Sequence, residues 1–169
     1  MASASLAKFS ELLRYQLYEC NDKQILLSRE IAYLENSIEL EKLRQNDNVV
    51  VSFQSNHQED TGLEIAPFIL MTFVENAFKH VSKHTDQANW IRIKLKLSED
   101  RLNFTVANSS SAAAANEVIR YSGIGLKNVQ RRLDLIYPGR YDLAIDNNDG
   151  RFEVQLQLDL TGQRMQQTA

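Results

Sequence analysis

Asn76, Lys79, His80 and Lys83 recur at three- and four-residue intervals within one run of the chain, with Thr72 a turn earlier. Residues three and four apart are neighbours on a helix, so a helix here would gather an amide, two ammoniums and an imidazole on one side. An amide oxygen suits Mg²⁺, which takes oxygen ligands and leaves much of its shell to phosphates and water. An ammonium suits phosphate oxygens. Val74, Ala77, Phe78 and Val81 share the opposite face and form the side to be buried. Taken alone, this helix is accounted for somewhat better by a solvated polar face than by a ligand site. His80 and His84 stand four apart, but no third ligand accompanies them, so zinc is not expected.

A second group is Gly123-Ile124-Gly125-Leu126-Lys127-Asn128, which opens a helical pattern. Glycines let backbone approach a ligand closely, and a helix N-terminus attracts anions through its free N–H groups. A turn that needs positive φ would explain the glycines equally, and a lone G-x-G is weak. Neither a P-loop nor a dinucleotide fingerprint occurs. Together the two groups weigh more, because a sheet between them could hold both around one nucleotide.

The elements that must position them read as follows. Leu6, Phe9, Leu13 and Leu17 mark an amphipathic helix to about Tyr18, and a second helix runs from an N-cap at Ser28 to Arg44. A strand is expected at 49–53, then a third helix over 67–82 with Pro67 in its first turn. Ile91, Ile93, Leu95 and Leu97 alternate with Arg92, Lys94 and Lys96, and Leu102, Phe104 and Val106 continue after a turn at 98–101, which predicts a hairpin. A fourth helix over 124–137 ends at Pro138-Gly139, and a last hairpin surrounds Asn147-Asn148-Asp149-Gly150. The stretch 109–115, rich in Ser and Ala, predicts a mobile loop, and the polar tail 161–169 predicts disorder. Helices over one face of a mostly antiparallel sheet make an α+β two-layer sandwich.

Composition narrows the class. The 169 residues suffice for one core with a helical extension, and 43% hydrophobic content is ordinary for a globular protein. A net charge of -3 argues against a nucleic-acid partner. The single cysteine, Cys20, cannot form an internal disulfide, and a reducing compartment is expected. No run approaches the roughly 18 apolar residues of a membrane helix.

Phe73-Val74-Glu75-Asn76-Ala77-Phe78-Lys79-His80, preceded by Pro67, resembles the N box of the GHKL ATPases, in the form carried by LytS/YehU-type sensor histidine kinases. Gly123-Ile124-Gly125-Leu126-Lys127-Asn128-Val129-Gln130-Arg131-Arg132-Leu133 is similar to the same family's glycine box. Leu12-Leu13-Arg14-Tyr15 and the segment Tyr33 to Arg44 match its N-terminal segments in order, so the resemblance spans about residues 6–158. It implies the Bergerat ATP-binding fold over 47–160. Residues 1–46 would then be the end of the dimerisation and phosphotransfer region with a connector, and 161–169 a tail.

By position, the resemblance implies that Asn76 ligates a Mg²⁺ bridging the phosphates of ATP. Lys79 and His80 would lie near phosphates or ribose, with Asn76 and Lys79 carrying the catalytic load. Gly123 and Gly125 would let a lid close over the triphosphate, with backbone contacts around Leu126. Asn128 and Arg132 would contact nucleotide or instead orient their helix, the two roles weighing equally for Arg132. Glu75 would stand behind Asn76. The implied partners are the phospho-acceptor helix of its own kinase, a response regulator, and a second copy in the full-length protein. The setting implied is a cytoplasmic domain of a membrane-anchored protein.

Two departures stand out. Where the family carries D-x-G, with an Asp that binds the adenine amine, this chain has Asn108-Ser109-Ser110. Asn108 can still accept from that amine but lacks charge, so Asn108→Asp is expected to tighten ATP binding. The family's acceptor-histidine motif is absent, the histidines being His57, His80 and His84. Alternatives are a GHKL serine kinase of the anti-sigma-factor type and a degenerate nucleotide-binding regulatory module. A gyrase-like ATPase is disfavoured, because Thr72 occupies the position of the catalytic Glu.

Overall fold

The computed structural model describes residues 2–14, 24–45, 47–56, 61–111 and 123–162. Cys20, His57, most of the Ser/Ala-rich stretch and the tail beyond 162 lie outside them. The elements follow in the order α1 (Ala2–Arg14), β1 (Ile25–Leu26), α2 (Leu27–Arg44), β2 (Val49–Ser55), β3 (Glu64–Ile65) and α3 (Ile69–His80). Next come β4 (Asn89–Ser98), β5 (Arg101–Ser109), α4 (Gly123–Ile136), β6 (Tyr141–Asn148) and β7 (Arg151–Asp159).

The main sheet has the order β2-β4-β5-β7-β6, with β2 parallel to β4 and the other pairs antiparallel. This is the expected mixed, mostly antiparallel sheet. α3 forms the crossover that the parallel β2–β4 pair requires. The two hairpins close on two-residue loops, Glu99-Asp100 and Asp149-Gly150, with Glu99 at φ 54 and Gly150 at φ 79.

The period-two pattern becomes burial directly. Ile91, Ile93, Leu95, Leu102, Phe104, Val106, Phe152, Val154, Leu156 and Leu158 all face the helices and are buried, while Arg92, Lys94 and Lys96 point to water. Val74, Ala77 and Phe78 of α3 pack toward that face, and Ile31, Leu34 and Ile38 of α2 with Val129 and Leu133 of α4 join them in one core. α1 packs on α2 and leaves Leu6, Phe9 and Leu13 largely exposed.

Three local features differ from expectation. α2 starts at Leu27 with no side-chain cap, so Ser28 lies inside its first turn. The Leu27 N–H instead donates to the Leu63 carbonyl at 2.8 Å, beside the short β1–β3 ribbon, so one of the helix's first free donors is met from a distant loop. That ribbon is too short to show a period in the sequence. α3 begins at Ile69, because Phe68 adopts φ 62 and interrupts the helix after Pro67. The Phe68 ring packs edge-on against Tyr33 at 5.1 Å, which stabilises the unusual conformation by burial.

Candidate functional site

α3 carries Asn76, Lys79 and His80 of the first group, whereas Lys83 lies beyond the helix, which ends at His80, short of the expected 82. Val74, Ala77 and Phe78 are buried, Asn76 and His80 are half-buried, and Lys79 and Glu75 are exposed. Thr72 donates its hydroxyl back to the Phe68 carbonyl at 3.1 Å, so this side chain serves the helix itself.

α3 is fixed at both ends. At its start, Arg132 of α4 donates to the Pro67 carbonyl at 2.9 Å, and the Ala66 N–H donates to the fully buried Tyr137 hydroxyl at 2.8 Å. Arg132 thus has the helix-orienting role. Burial pushes the Tyr137 hydroxyl above its ordinary pKa, against the opposing pull of the Ala66 N–H. These bonds join the C-terminal end of α4 to the start of α3, while the first turn of α4 carries Gly123 and Gly125.

Beyond the C-terminus of α3, Ser82 binds the end of β5. Its N–H donates to the Ser109 carbonyl at 2.8 Å, and its hydroxyl lies 2.7 Å from Ser109 Oγ and donates to Asn89 Oδ1 at 2.7 Å. Asn89 in turn accepts from the His84 N–H at 2.8 Å and donates to the His84 carbonyl at 2.9 Å. The sequence reading missed this buried polar network. A signal for it exists, since Asn89 and Asn108 both fall where the strand alternation calls for apolar residues.

Asn108 is 1% exposed and continues the helix-facing phase of Phe104 and Val106. Its Nδ2 donates to the Ser109 carbonyl at 3.0 Å, whereas its Oδ1 is buried with no partner among the described residues. A buried acceptor left unmade costs about 1–3 kcal/mol, so a donor such as an ordered water or a bound group is called for there. Ser110 is held by its N–H on the Gly150 carbonyl at 3.0 Å.

Gly125 lies within α4 without positive φ, and a Cβ built there meets no described atom within 4 Å. Neither backbone strain nor packing among the described residues requires glycine, which leaves room for an outside group. Leu126 is half-buried against the core, and Lys127 and Asn128 are exposed. Glu75 points elsewhere, into a groove of about 470 Å³ between α1, α2 and α3 lined by Phe9, Tyr33, Glu41 and Met71. Burial raises the Glu75 pKa, and the Glu41 carboxylate raises it further.

No group of three or more His, Cys, Asp or Glu that could hold a metal occurs among the described residues. A lone half-buried amide such as Asn76 suits an ion held mainly by phosphates and water.

A five-strand mixed sheet covered on one face by helices is the fold of histidine kinase catalytic domains. Over 94% of this chain and 76% of the other, the fold matches the histidine kinase domain from Erythrobacter litoralis EL346 blue-light activated histidine kinase, at TM-score 0.58 and 16% identity. Full-length ShkA in complex with AMPPNP matches over 79% of this chain and 30% of its own, at TM-score 0.54 and 14% identity. The family model described as Histidine kinase matches residues 1–49. In sequence the chain is 26% identical over 158 residues to the sensor protein LytS of Streptococcus mutans serotype c, covering 88% of this chain. It spans 27% of that relative's length. In sequence the chain is similar to LytS sensor proteins, and in fold to histidine kinase catalytic domains.

Proposed function

We propose that this chain binds Mg²⁺-ATP between α3, the end of β5 and the first turn of α4, and transfers the γ-phosphate to a histidine outside it. The observation that carries the reading is Asn108, whose buried Oδ1 has no partner among the described residues while its Nδ2 is committed to Ser109. The adenine amine is a donor of the kind that Oδ1 lacks.

Asn76 would hold Mg²⁺ through its amide oxygen, and Lys79 would neutralise phosphate charge. The ion would supply charge neutralisation on the phosphates. Phosphoryl transfer asks a protein mainly to position groups and offset charge, which an amide, an ammonium and helix N–H groups can do. His80 would contact phosphate or ribose. Gly123, Gly125 and the backbone around Leu126 would approach the triphosphate, and Asn128 would line the same side. Thr72 offers no carboxylate to activate water, which favours transfer over steady hydrolysis.

In this reading residues 1–46 are the end of a dimerisation and phosphotransfer region with its connector. The exposed Leu6, Phe9 and Leu13 suit burial against further helices of that region in a homodimer. A response regulator receives the phosphate, and the unit works on the cytoplasmic side of a membrane-anchored protein.

The test combines this chain, Mg²⁺-ATP and a dimerisation fragment carrying an acceptor histidine. An acid-labile phosphate on the fragment, lost with Asn76→Ala, is expected. Acid-stable phosphoserine, or no transfer, would contradict it.

A further inference from the structure

β2 forms one edge of the main sheet and pairs with β4 on one side only among the described residues. Its sequence, Val49-Val50-Val51-Ser52-Phe53-Gln54-Ser55, carries no charge and no proline, the usual devices that keep an edge from pairing. The opposite edge, β6, has Asp142 and Asp146, both exposed.

The register sets two faces on the β2 edge. Val50, Ser52 and Gln54 stand opposite Trp90, Arg92 and Lys94 and share the outer face. Val49, Val51 and Phe53 share the core face, and remain only partly buried although they pack on the core. One strand inward, Arg92, Lys94 and Lys96 form an exposed basic row, with Arg92 lying 4.4 Å over the Trp90 ring. Nothing charged separates this row from the open edge.

We propose that the β2 edge docks an extended segment of a partner protein as a sixth strand, one in which apolar and acidic residues alternate. Its apolar side chains would complete the cover over Val49, Val51 and Phe53. Its carboxylates would lie on the outer face, toward Arg92, Lys94 and Lys96. Neighbouring strands stand about 4.8 Å apart, so the added strand lies about 10 Å from β4, a gap that Arg or Lys and Glu side chains span together. Main-chain hydrogen bonds give such docking its affinity, and alternate side chains give specificity. The β2 edge of a second copy would bring a second basic row and repel. The β6 edge of a second copy alternates acidic and apolar residues, but that pairing is head-to-tail and brings together chains of net charge -3.

The experiment uses labelled peptides matched to the seven residues of β2, one alternating Val and Glu and one alternating Val and Lys. The acidic peptide is expected to bind at least about tenfold more tightly, with affinity falling as ionic strength rises. It should slow amide exchange across 49–55. Arg92→Glu with Lys94→Glu should cost about tenfold in affinity, and so should Val50→Glu, which sits 66% exposed at the edge itself. All three positions are on the surface, and unchanged thermal unfolding would show the variants folded. Equal binding of the two peptides, no binding of either, unprotected β2 amides in the bound state, or self-association that competes with the peptide would each overturn the proposal.

Discussion

At Asn108 the amide nitrogen donates to the Ser109 carbonyl at 3.0 Å, which leaves the buried oxygen to face whatever enters. An acceptor fixed in that orientation matches the 6-amino group of adenine and opposes the 6-carbonyl of guanine. ATP should therefore bind more tightly than GTP by about tenfold or more, the worth of one satisfied hydrogen bond against one unmatched acceptor pair. Asn108→Ala should remove the difference, and equal calorimetric affinities of the native chain for both nucleotides would reject the assignment. The structure also reverses the expectation for Asn108→Asp. A carboxylate there would face the Ser109 carbonyl and lose the donor, and it would be desolvated in a site 1% exposed. Lower stability toward urea and no gain in ATP affinity are expected. Gly125 is expected to trade in the opposite sense. With ordinary helical φ and open space at its Cβ, Gly125→Ala should stabilise the free chain by up to about 1 kcal/mol while weakening nucleotide binding. Parallel thermal melts and calorimetry on that variant check both signs.

Elements hold these residues through a few buried contacts that join the two ends of α3 to its neighbours. Tyr137→Phe would leave the buried Ala66 N–H without its acceptor and should cost about 1–3 kcal/mol in urea unfolding. A change within error would mean that this bond does not fix the start of α3. In the groove beside α2, the raised pKa of Glu75 means that the folded state holds its proton more tightly than the unfolded one. Its contribution is favourable at low pH and lost as pH rises through the folded value. Glu75→Gln should thus raise the melting temperature at neutral pH, with the gain vanishing below about pH 4, where the unfolded carboxyl is protonated as well. Much of this element scale was legible in the sequence. β4, β5 and β7 announce themselves by a period of two, and α3 and α4 by apolar positions three and four apart. What stayed hidden depends on contacts distant in the chain. The left-handed turn at Phe68 rests on the Tyr33 ring, and the uncapped start of α2 rests on the Leu63 carbonyl. The Ser82–Asn89–Ser109 network joins residues that no local pattern links.

For the whole molecule, the layer of helices and the sheet serve different purposes. Their shared side buries one core, with Asn108 near the end of β5 facing it. The sheet's outer side stays charged, basic along β4 and acidic toward β6. A chain spanning 27% of its curated relative, with the fold of histidine kinase catalytic domains, fits the proposed reading as the nucleotide-binding part of a larger kinase. That claim is tested most directly by isothermal titration of the chain with ATP in the presence and absence of Mg²⁺. The account predicts one site per chain with Kd below about 1 mM, equivalent to at least roughly 4 kcal/mol, strengthened by Mg²⁺ and weakened by Asn76→Ala and Asn108→Ala. No binding heat at millimolar Mg²⁺-ATP, or binding indifferent to both substitutions, would contradict it.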